Sequence, residues 1–542
     1  AETGECVALA VGRAPLRALS AFNLSSALQK AGRLGARPVT LEFVMQLVDE
    51  RQDELDERGL AQCLWAAARL QITGRVVESL AQQARSRASS SDLQLTAVVN
   101  CLWAVSKLQL PGEELTTVVR SKMQDLTSED RAKVAWACQG SPLLQGLASQ
   151  AVSKLAQGRP DEWAAIAWSL TEHAVDRATL EVIAAQFLKT SNEWRGSQVV
   201  MLLHSLVQLQ SAALPACGKV IAELAVGYGD RQFASCFGLL ARALPSSVKP
   251  MMIAVQERRF KQPRDCGEVA GALGDMNVFD PALLARLLQP LELSSQWDSH
   301  SSAALARALC KLRLTDAKVA SEFYGRVQSV SSWDAPEWIS VAVGLSTCFG
   351  LSMPHPPPAE ECWPVAAWTS AVCGNGAGAK EWGKKCKDQP WDGHAKGQLQ
   401  DALAYLAVVE GDEEARAWWS LRGARRGDLR PSSKWHSLVA EACGTLGEKY
   451  ELEVTLPFGW SADLVVDGIA VEVQGPSHYL RSLDGEHVES HVTRFKNKVL
   501  RSLGYGVVTI DVCEFEDMTQ ESLIASLVDQ LAMQRAQRGA VV

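Results

Sequence analysis

The first 350 residues repeat one pattern of hydrophobic and polar positions. The segment GLAQCLWAAARLQI around Trp65 returns as AVVNCLWAVSKLQL around Trp103, and each copy leads into a turn and a second stretch with helical periodicity. A supersecondary unit that recurs in this way predicts an α-solenoid of helix-turn-helix repeats over residues 55–350. Weaker copies continue the series, with 32 to 38 residues between successive anchors, at Trp136, Trp168, His204, Gly238, Gly271, Arg307 and Gly344.

The anchors also bear on how such an array would bind a ligand. Solenoids of this period bind extended ligands, either peptide or RNA, on a concave face. Four of the anchors are tryptophans in the same register, which favours a role in the core over a role as platforms for stacked bases. These four are Trp65, Trp103, Trp136 and Trp168.

Three further segments differ in pattern from the solenoid. Residues 1–54 form an amino-terminal segment that leads into the array. The prolines of SMPHPPPAEE cannot continue a helix, because proline lacks the N–H donor and clashes with the preceding turn. We therefore predict a helical region interrupted by Pro and Gly, ending in a basic linker, over residues 351–431. From residue 432 the periodicity changes to alternation, which predicts a small α/β domain over residues 432–542.

Strands and a hairpin are predicted in this last domain. The runs YELEVTL, SADLVV and IAVEVQ alternate with period two, and Asp467-Gly468 is a preferred two-residue hairpin turn. This turn places Asp463 opposite Glu472, and alternation gives both of them and Gln474 the same face. The opposite face is predicted to be apolar, with Leu464, Val466, Ile469, Val471 and Val473.

Paired acids across a hairpin indicate a possible nuclease. In restriction-type nucleases such a pair, followed by E-x-K, holds a divalent metal and orients the attacking water. Here Gln474 stands where Lys is expected, and Gln cannot carry the positive charge that favours hydroxide. A nuclease would use Asp463, Glu472 and Gln474 in catalysis, with Asp463, Glu472 and Glu441 as metal ligands. The alternative is that both acids lie on an exposed sheet face.

The segments VEVQGPSHYL and HVTRFKNKVLRSLGYGVVTID resemble the RAP domain, over about residues 435–535. The resemblance implies a restriction-endonuclease-like fold and a role in organellar RNA metabolism. The family usually carries Asp at the position of Gln474, which weakens the case for a metal site. The anchors of the array, with a loose L-W-A-x-x-K/R-L pattern, resemble the heptatricopeptide and octotricopeptide repeats of organellar RNA-binding proteins.

The charge of the chain argues against nucleic-acid binding unless positive charge is local. The net charge is −8, whereas neutralising phosphates requires Lys and Arg. Basic residues do cluster at 249–264 and 416–434, and a helix predicted over 487–503 has an apolar stripe that begins at Val488 and basic residues on another face. The predicted RNA-binding residues are Arg258, Arg259, Lys261, Arg416, Arg422, Arg425, Arg426, Arg430, Lys434, His478, Tyr479, Arg494, Lys498 and Arg501.

The remaining composition narrows the class of protein. No apolar run reaches the 18 or more residues that a membrane span needs. The 14 cysteines form no CxxC pair, which favours reduced thiols packed as small hydrophobic residues. The chain begins at Ala1 and not at Met, so we expect either a fragment or a processed mature protein, and the second alternative would fit removal of a transit peptide.

These observations leave three functional hypotheses. The first is a non-catalytic protein that binds organellar rRNA or mRNA, as a component of a mitochondrial ribosome or of another ribonucleoprotein. The second is a metal-dependent RNA endonuclease, and the third is a solenoid scaffold that binds protein. No cofactor is expected, except Mg²⁺ if the domain is a nuclease. Family analogy favours the mitochondrion, with the plastid as the alternative.

Overall fold

The computed structural model describes residues 19–34, 42–137, 158–171, 177–289, 297–386, 389–391, 393–421, 434–512 and 520–539. The chain forms two compact units, Ala1–Met251 and Met252–Val542. The predicted fold class is confirmed: the chain is mostly helical, and a small sheet follows in its carboxy-terminal part. None of the helices within the described ranges combines the length and apolarity needed to cross a membrane.

The first unit is helical throughout its described residues. Within this unit, the helix that carries one repeated motif packs against the corresponding helix of the following repeat, as expected for a solenoid. The described helices are α1 (Ala21–Leu34), α2 (Glu42–Glu50), α3 (Glu57–Leu70), α4 (Arg75–Ser89), α5 (Leu95–Lys107), α6 (Glu113–Ser121), α7 (Ser128–Ala137), α8 (Pro160–Thr171), α9 (Arg177–Thr190), α10 (Gly196–Gln208), α11 (Leu214–Ala225) and α12 (Asp230–Ala243), and α13 (Lys249–Glu257) crosses the division between the units.

The tryptophan anchors are only partly in the core. Trp65, Trp103 and Trp136 are half-buried and form a ladder, with ring centres 6.3 and 5.8 Å apart. Trp168 packs in the same way on His204, at 4.5 Å. The interpretation of these residues as simple core residues is therefore incomplete, because one face of each ring packs on the next repeat while part of the ring stays accessible.

Several anchors are followed, six residues later, by a left-handed backbone conformation at the end of the helix. This conformation ends a helix by turning the chain and satisfying its last carbonyls. Its recurrence supports the register that we assigned to the repeats from the sequence. The residues with this conformation are Gln71, Gln109, Gln210, Asn277, Arg313 and Gly350.

The second unit begins with helices that carry the same repeated motif and ends with the carboxy-terminal domain. The described helices that precede the sheet are α14 (Pro263–Asp275), α15 (Pro281–Leu288), α16 (Ser299–Leu312), α17 (Ala317–Gln328), α18 (Ala335–Gly344) with a π-helical turn (Leu345–Phe349), α19 (Trp363–Val372), α20 (Gly376–Lys385), α21 (Gly393–Val408), α22 (Glu413–Leu421) and α23 (Lys434–Thr445). The predicted domain boundary near residue 431 lies outside the described residues.

The carboxy-terminal domain is built on a four-stranded sheet in the order β1-β2-β3-β6. Strands β1 to β3 are antiparallel, and β6 is parallel to β3. A separate hairpin pairs β4 with β5. The elements are β1 (Tyr450–Thr455), β2 (Ser461–Val466), β3 (Ile469–Gln474), β4 (Tyr479–Arg481), β5 (His487–Glu489), α24 (His491–Ser502), β6 (Gly506–Asp511) and α25 (Gln520–Gly539).

The predicted hairpin between β2 and β3 is confirmed. Asp467 and Gly468 have φ angles of 48° and 73°, as a two-residue turn with two left-handed positions requires. The pairs from Val466–Ile469 to Leu464–Val471 have the predicted register. The predicted apolar face packs against α23 and α25 in one core, which contains Leu464, Val466, Ile469, Val471 and Val473.

The predicted helix over 487–503 is wrong at its beginning. His487–Glu489 is strand β5, and α24 starts at His491 because the Ser490 hydroxyl caps it by accepting the Thr493 N–H at 3.1 Å. Val488 is consequently exposed instead of belonging to the apolar stripe. The rest of the stripe, from Val492 onward, packs against the helices of residues 363–421.

A close approach of two helices gives a test of this packing. A Cβ on Gly267 of α14 would lie 2.9 Å from backbone atoms of Ala304 and Leu305 in α16. We expect Gly267→Ala to lower the free energy of unfolding of the second unit by about 1–3 kcal/mol, because the helices would have to separate. Urea denaturation followed by circular dichroism measures the change.

A second helical glycine is the matched control. A Cβ on Gly325 of α17 would meet nothing within 4 Å. Gly325→Ala should therefore be neutral or stabilising by about 0.5–1 kcal/mol, because Ala favours helix more than Gly does. Equal urea midpoints for the Gly267→Ala variant and the wild type would contradict the close contact of α14 and α16.

Candidate nucleic-acid interface

The GPSHY segment, residues 475–479, leaves the sheet at the carboxyl end of β3. After Gly475 the chain makes one 3-10 turn, and Tyr479 begins β4. Because β3 and β6 are parallel and Gln474 pairs with Asp511, both strands end at this same edge. The crevice beyond the carboxyl ends of parallel strands is the usual ligand site in open α/β sheets.

His478 connects this segment to the start of α24. Its carbonyl accepts hydrogen bonds from the Ser490 N–H at 2.8 Å and the Thr493 hydroxyl at 3.2 Å. Burial, followed by the nearby positive charge of Lys496, lowers the pKa of His478. The ring is therefore neutral at physiological pH, and its contacts fit positioning of the turn better than the predicted contact with phosphate.

Strand β4 is joined to the end of a repeat by two backbone hydrogen bonds. The Arg481 N–H donates to the Arg313 carbonyl at 2.6 Å, and the Thr315 N–H donates to the Arg481 carbonyl at 2.8 Å. Leu314 and Arg481 thereby form a parallel bridge. Arg313 is one of the left-handed residues that end the repeats, with φ 52°. The turn at the end of α16 thus holds the β4–β5 hairpin in place.

A cleft of about 890 Å³ lies between these elements, within the second unit. This is within the range of roughly 300–1,000 Å³ that ligand pockets occupy. Its walls come from the ends of α14 and α16, the start of α23, the GPSHY segment, the β4–β5 hairpin and Val512 after β6. The basic and aromatic side chains that line it are Lys311, Arg313, Arg481, His487, Phe279, Trp435 and Tyr479.

The cleft is positive although the chain is negative. None of its lining residues is Asp or Glu. Lys311 is paired with Asp275 at 2.8 Å, whereas Arg313 and His487 have no acidic partner within the part of the chain that the structure describes. The Arg481 guanidinium lies over the Phe279 ring, 5.4 Å from its centre. Cations beside aromatic rings are the usual means of holding unpaired nucleotides.

Asp463 and Glu472 do not form the directly opposed pair that the sequence predicts. Regular pairing stops at Leu464, and Asp463 Oδ2 instead accepts the Val473 N–H at 2.8 Å. The same oxygen lies 3.5 Å from His436 Nε2 of α23, and His436 Nδ1 lies 3.2 Å from the Glu453 carboxylate. The Asp463 carboxylate is thus satisfied by the Val473 N–H and lies beside the His436 ring.

Glu472 is bound from a different helix. Its carboxylate is buried, with 2% exposure, and pairs with Lys496 of α24. Its other oxygen, Oε1, has no hydrogen-bond partner among the described residues. Burial raises the pKa of Glu472 to about 7, against the opposing effect of Lys496. Asp463 and Glu472 therefore each contact a basic side chain of the protein.

The predicted set of three metal ligands is not assembled. Glu441 is exposed on α23, away from the face that packs on the sheet. Gln474 is buried at the end of β3. Within the described residues, no group of three or more His, Cys, Asp or Glu side chains is placed to hold a metal ion.

The described residues of the two predicted basic clusters do not line the cleft. Arg258, Arg259 and Lys261 lie in the loop that follows α13, and none of them lines the cleft. Arg416 pairs with Glu413 at 3.0 Å. Lys434 is the first residue of α23, and nothing further is described of its side chain. The remaining predicted residues of this cluster lie outside the described residues: Arg422, Arg425, Arg426 and Arg430.

The residues of the predicted basic face of α24 differ in their contacts and in their charge. Lys498 lies against Tyr405 of α21, with its Nζ 3.3 Å from the hydroxyl. Burial, together with the charge of Arg494, lowers the pKa of His491 to about 4, so this ring is not a cation at neutral pH. Arg494 and Arg501 are exposed. Of the predicted RNA-binding residues that the structure describes, Tyr479 is the one that lines the cleft.

Sequence reasoning missed Arg313, although a signal for it exists. The left-handed position at the end of a repeat is Gln in Gln71, Gln109 and Gln210. Arg313 replaces this Gln in the repeat that contacts the carboxy-terminal domain. Arg481, Phe279 and Trp435 are far apart along the chain and carried no comparable signal, because only tertiary packing brings them together.

The carboxy-terminal residues match a known family. The family model of the RAP domain matches residues 471–529, from β3 into α25. This confirms the RAP assignment for that segment, and RAP domains are generally linked to RNA binding. No curated protein matches the chain at a significant level. The type of helical repeat in the rest of the chain stays a prediction.

The buried acid gives a test of this arrangement. The pKa of Glu472 is about 7 instead of its usual 4.5, so the folded protein keeps a proton that the unfolded chain loses above pH 4.5. Stability should therefore fall as pH rises from 4.5 to 7, by about 3 kcal/mol from this group. Urea denaturation of the second unit at several pH values measures this.

Glu472→Gln is the matched variant, because it keeps the shape and removes the titration. We expect the difference in stability between this variant and the wild type to grow in favour of the variant over the same pH range. Parallel curves for the two proteins would contradict the raised pKa.

Proposed function

We propose that this protein is a non-catalytic RNA-binding protein that holds an unpaired segment of RNA in the cleft beside the GPSHY segment. The observation that carries the proposal is the combination of basic and aromatic side chains, without acids, around that cleft. Its place at the carboxyl ends of β3 and β6 and the RAP match over the same residues support it.

The side chains suggest how the RNA would be held. The backbones of Arg313 and Arg481 are joined by the bridge, so their positive charges lie at the same end of the cleft, where phosphates would bind. Trp435 and Tyr479 line the same space and would stack on bases. Unpaired RNA suits such a site because its bases are free to leave the helix and stack on protein.

The negative net charge is compatible with this proposal. Affinity for phosphate depends on cations at the site, and distant charges are screened over about 8 Å at physiological ionic strength. A locally positive cleft on a negative protein suits binding within a ribonucleoprotein, where other components contribute contacts.

The carboxylates favour binding without cleavage. Asp463 contacts His436, and Glu472 is buried against Lys496. A metal would have to displace these contacts, and Gln474 lacks the charge that activates water in restriction-type nucleases. These observations support a RAP domain that uses the nuclease-like fold for binding.

The finer assignment rests on family analogy alone. We extend the proposal to organellar rRNA or mRNA, to a ribosome or another ribonucleoprotein as the setting, and to the mitochondrion, with the plastid as the alternative. The protein-binding scaffold stays as the competing class of function. It differs in that no RNA would accompany the protein after mild isolation, whereas the RNA-binding proposal expects cross-linked RNA.

We expect the double variant Arg313→Gln, Arg481→Gln to bind single-stranded RNA about 10- to 100-fold more weakly, because two charged contacts are lost. The slope of log affinity against log salt should fall by about 1.4, since each phosphate contact on a single strand contributes about 0.7. Fluorescence anisotropy with a labelled RNA over a range of salt measures both. Gln occupies the backbone position of Arg313 in earlier repeats, so this change preserves the turn.

A charge-matched control is available in the first unit. Lys189 and Lys219 are exposed on α9 and α11, and replacing both with Gln removes the same charge. This control should retain wild-type affinity and salt slope. An equal loss in both double variants would show that binding depends on total charge and would contradict the cleft as the site.

A second test addresses cleavage. With Mg²⁺ present, we expect RNA to remain intact with the wild-type protein, as judged by gel electrophoresis of end-labelled RNA. Asp463→Asn and Glu472→Gln should leave RNA affinity unchanged, because neither residue lines the cleft. Mg²⁺-dependent scission that both variants abolish would establish the nuclease hypothesis instead.

A further inference from the structure

Two cysteines from neighbouring repeats lie side by side in the second unit. Cys310 is in the last turn of α16, and Cys348 is in the π-helical turn after α18. Their Sγ atoms are 3.9 Å apart. This differs from thiols such as Cys63 and Cys101, which are wholly buried among apolar residues and whose pKa burial raises to about 12.

The backbones around this pair are close enough for a covalent link. One turn before the cysteines, a Cβ on Gly344 would lie 3.2 Å from the Ala306 Cα. A disulfide requires Cα atoms roughly 4.4–6.8 Å apart and sulfurs about 2.05 Å apart. Because the helices touch at Ala306 and Gly344, the two sulfurs can approach by the remaining distance through side-chain rotation and a small backbone adjustment.

The two thiols have unequal reactivity. A hydrogen bond from the Cys348 thiol lowers the pKa of Cys310, because it stabilises the thiolate, although burial opposes the effect. Cys310 is partly accessible, whereas Cys348 has 1% exposure. A partly accessible thiolate beside a second thiol is the usual arrangement of a reversible redox pair.

We propose that Cys310 and Cys348 form a reversible oxidation site that reacts with a hydroperoxide. The Cys310 thiolate attacks the peroxide, so that an S–O bond forms, the O–O bond breaks, and the alcohol leaves after taking up a proton. The Cys348 sulfur then attacks the Cys310 sulfur, forming the S–S bond and releasing water, which carries off the Cys348 proton. Two thiols supply the two electrons, and a dithiol reductant reverses the change.

The position of the pair gives the link a structural consequence. The residues after Cys310 include Lys311 and Arg313, which line the cleft. The turn that holds Cys348 ends at Gly350, where a Cβ would overlap the ring of His491 at the start of α24. A disulfide would therefore tie together the repeat that lines the cleft and the repeat on which α24 rests. This proposal does not depend on RNA binding.

The test uses the full-length protein and hydrogen peroxide. We expect the mass of the oxidised protein to fall by about 2 Da and peptide mapping to show Cys310 linked to Cys348. Dithiothreitol should restore both thiols to alkylation. The oxidised protein should also unfold at a temperature several degrees higher than the reduced protein, because a link across the repeats restricts the unfolded chain.

Three variants complete the test. Cys310→Ser and Cys348→Ala should each lose the link, and Cys373→Ser, which removes a half-buried thiol elsewhere, should keep it. The measurement on the wild-type protein stands even where a variant folds poorly. The proposal is overturned if both thiols of the wild type remain alkylatable after peroxide, or if Cys310 is oxidised to sulfinic acid with no link to Cys348.

Discussion

The carboxy-terminal domain and the repeat beside it are held in register by a short backbone bridge. Arg313 has a left-handed conformation at the end of α16, which turns its carbonyl toward β4, where it accepts the Arg481 N–H. Thr315 completes the bridge from the other side. These backbone hydrogen bonds join the end of α16 to β4, and both elements line the cleft. Arg313 and Arg481, whose backbones make this bridge, also supply basic side chains to the cleft.

The left-handed position that ends each repeat makes different contacts in neighbouring repeats of the second unit. Asn277, Arg313 and Gly350 are successive left-handed residues at the ends of repeats. Asn277 and Arg313 line the cleft, whereas Gly350 leaves room for the ring of His491 at the start of α24. A position that only ends a helix in the first unit thus becomes the contact surface for the RAP segment in the second. A repeat array can acquire such a function by changing one side chain in each repeat, since the backbone is already set.

The acids on the sheet of the carboxy-terminal domain are held by other groups of the protein. Loss of regular pairing at Asp463 lets its carboxylate bind the Val473 N–H and contact His436. Glu472 is buried with Lys496, and burial keeps its pKa near 7. Burying a carboxylate in this way is costly unless a cation accompanies it. Each of the two acids therefore contacts a side chain of the protein, and the accessible positive charge lies instead in the cleft beyond the strand ends.

Local periodicity determined much of this protein from the sequence by itself. It was sufficient for the repeat register, the Asp467-Gly468 turn, the pairing near it and the apolar face of the sheet, because each depends on residues close along the chain. It failed at His487, which belongs to a strand paired with β4 and not to the helix that follows. It also failed at Asp463, whose carboxylate, and not its backbone, binds the Val473 N–H.

Only the tertiary structure decided which basic and aromatic side chains come together. Phe279, Arg313, Trp435 and Arg481 come from separate elements, and their meeting in one cleft depends on how helices and strands pack. The same holds for Lys496, which no local pattern linked to Glu472. Helical and alternating periods report which face of an element is buried, but they carry no information about which distant element covers it.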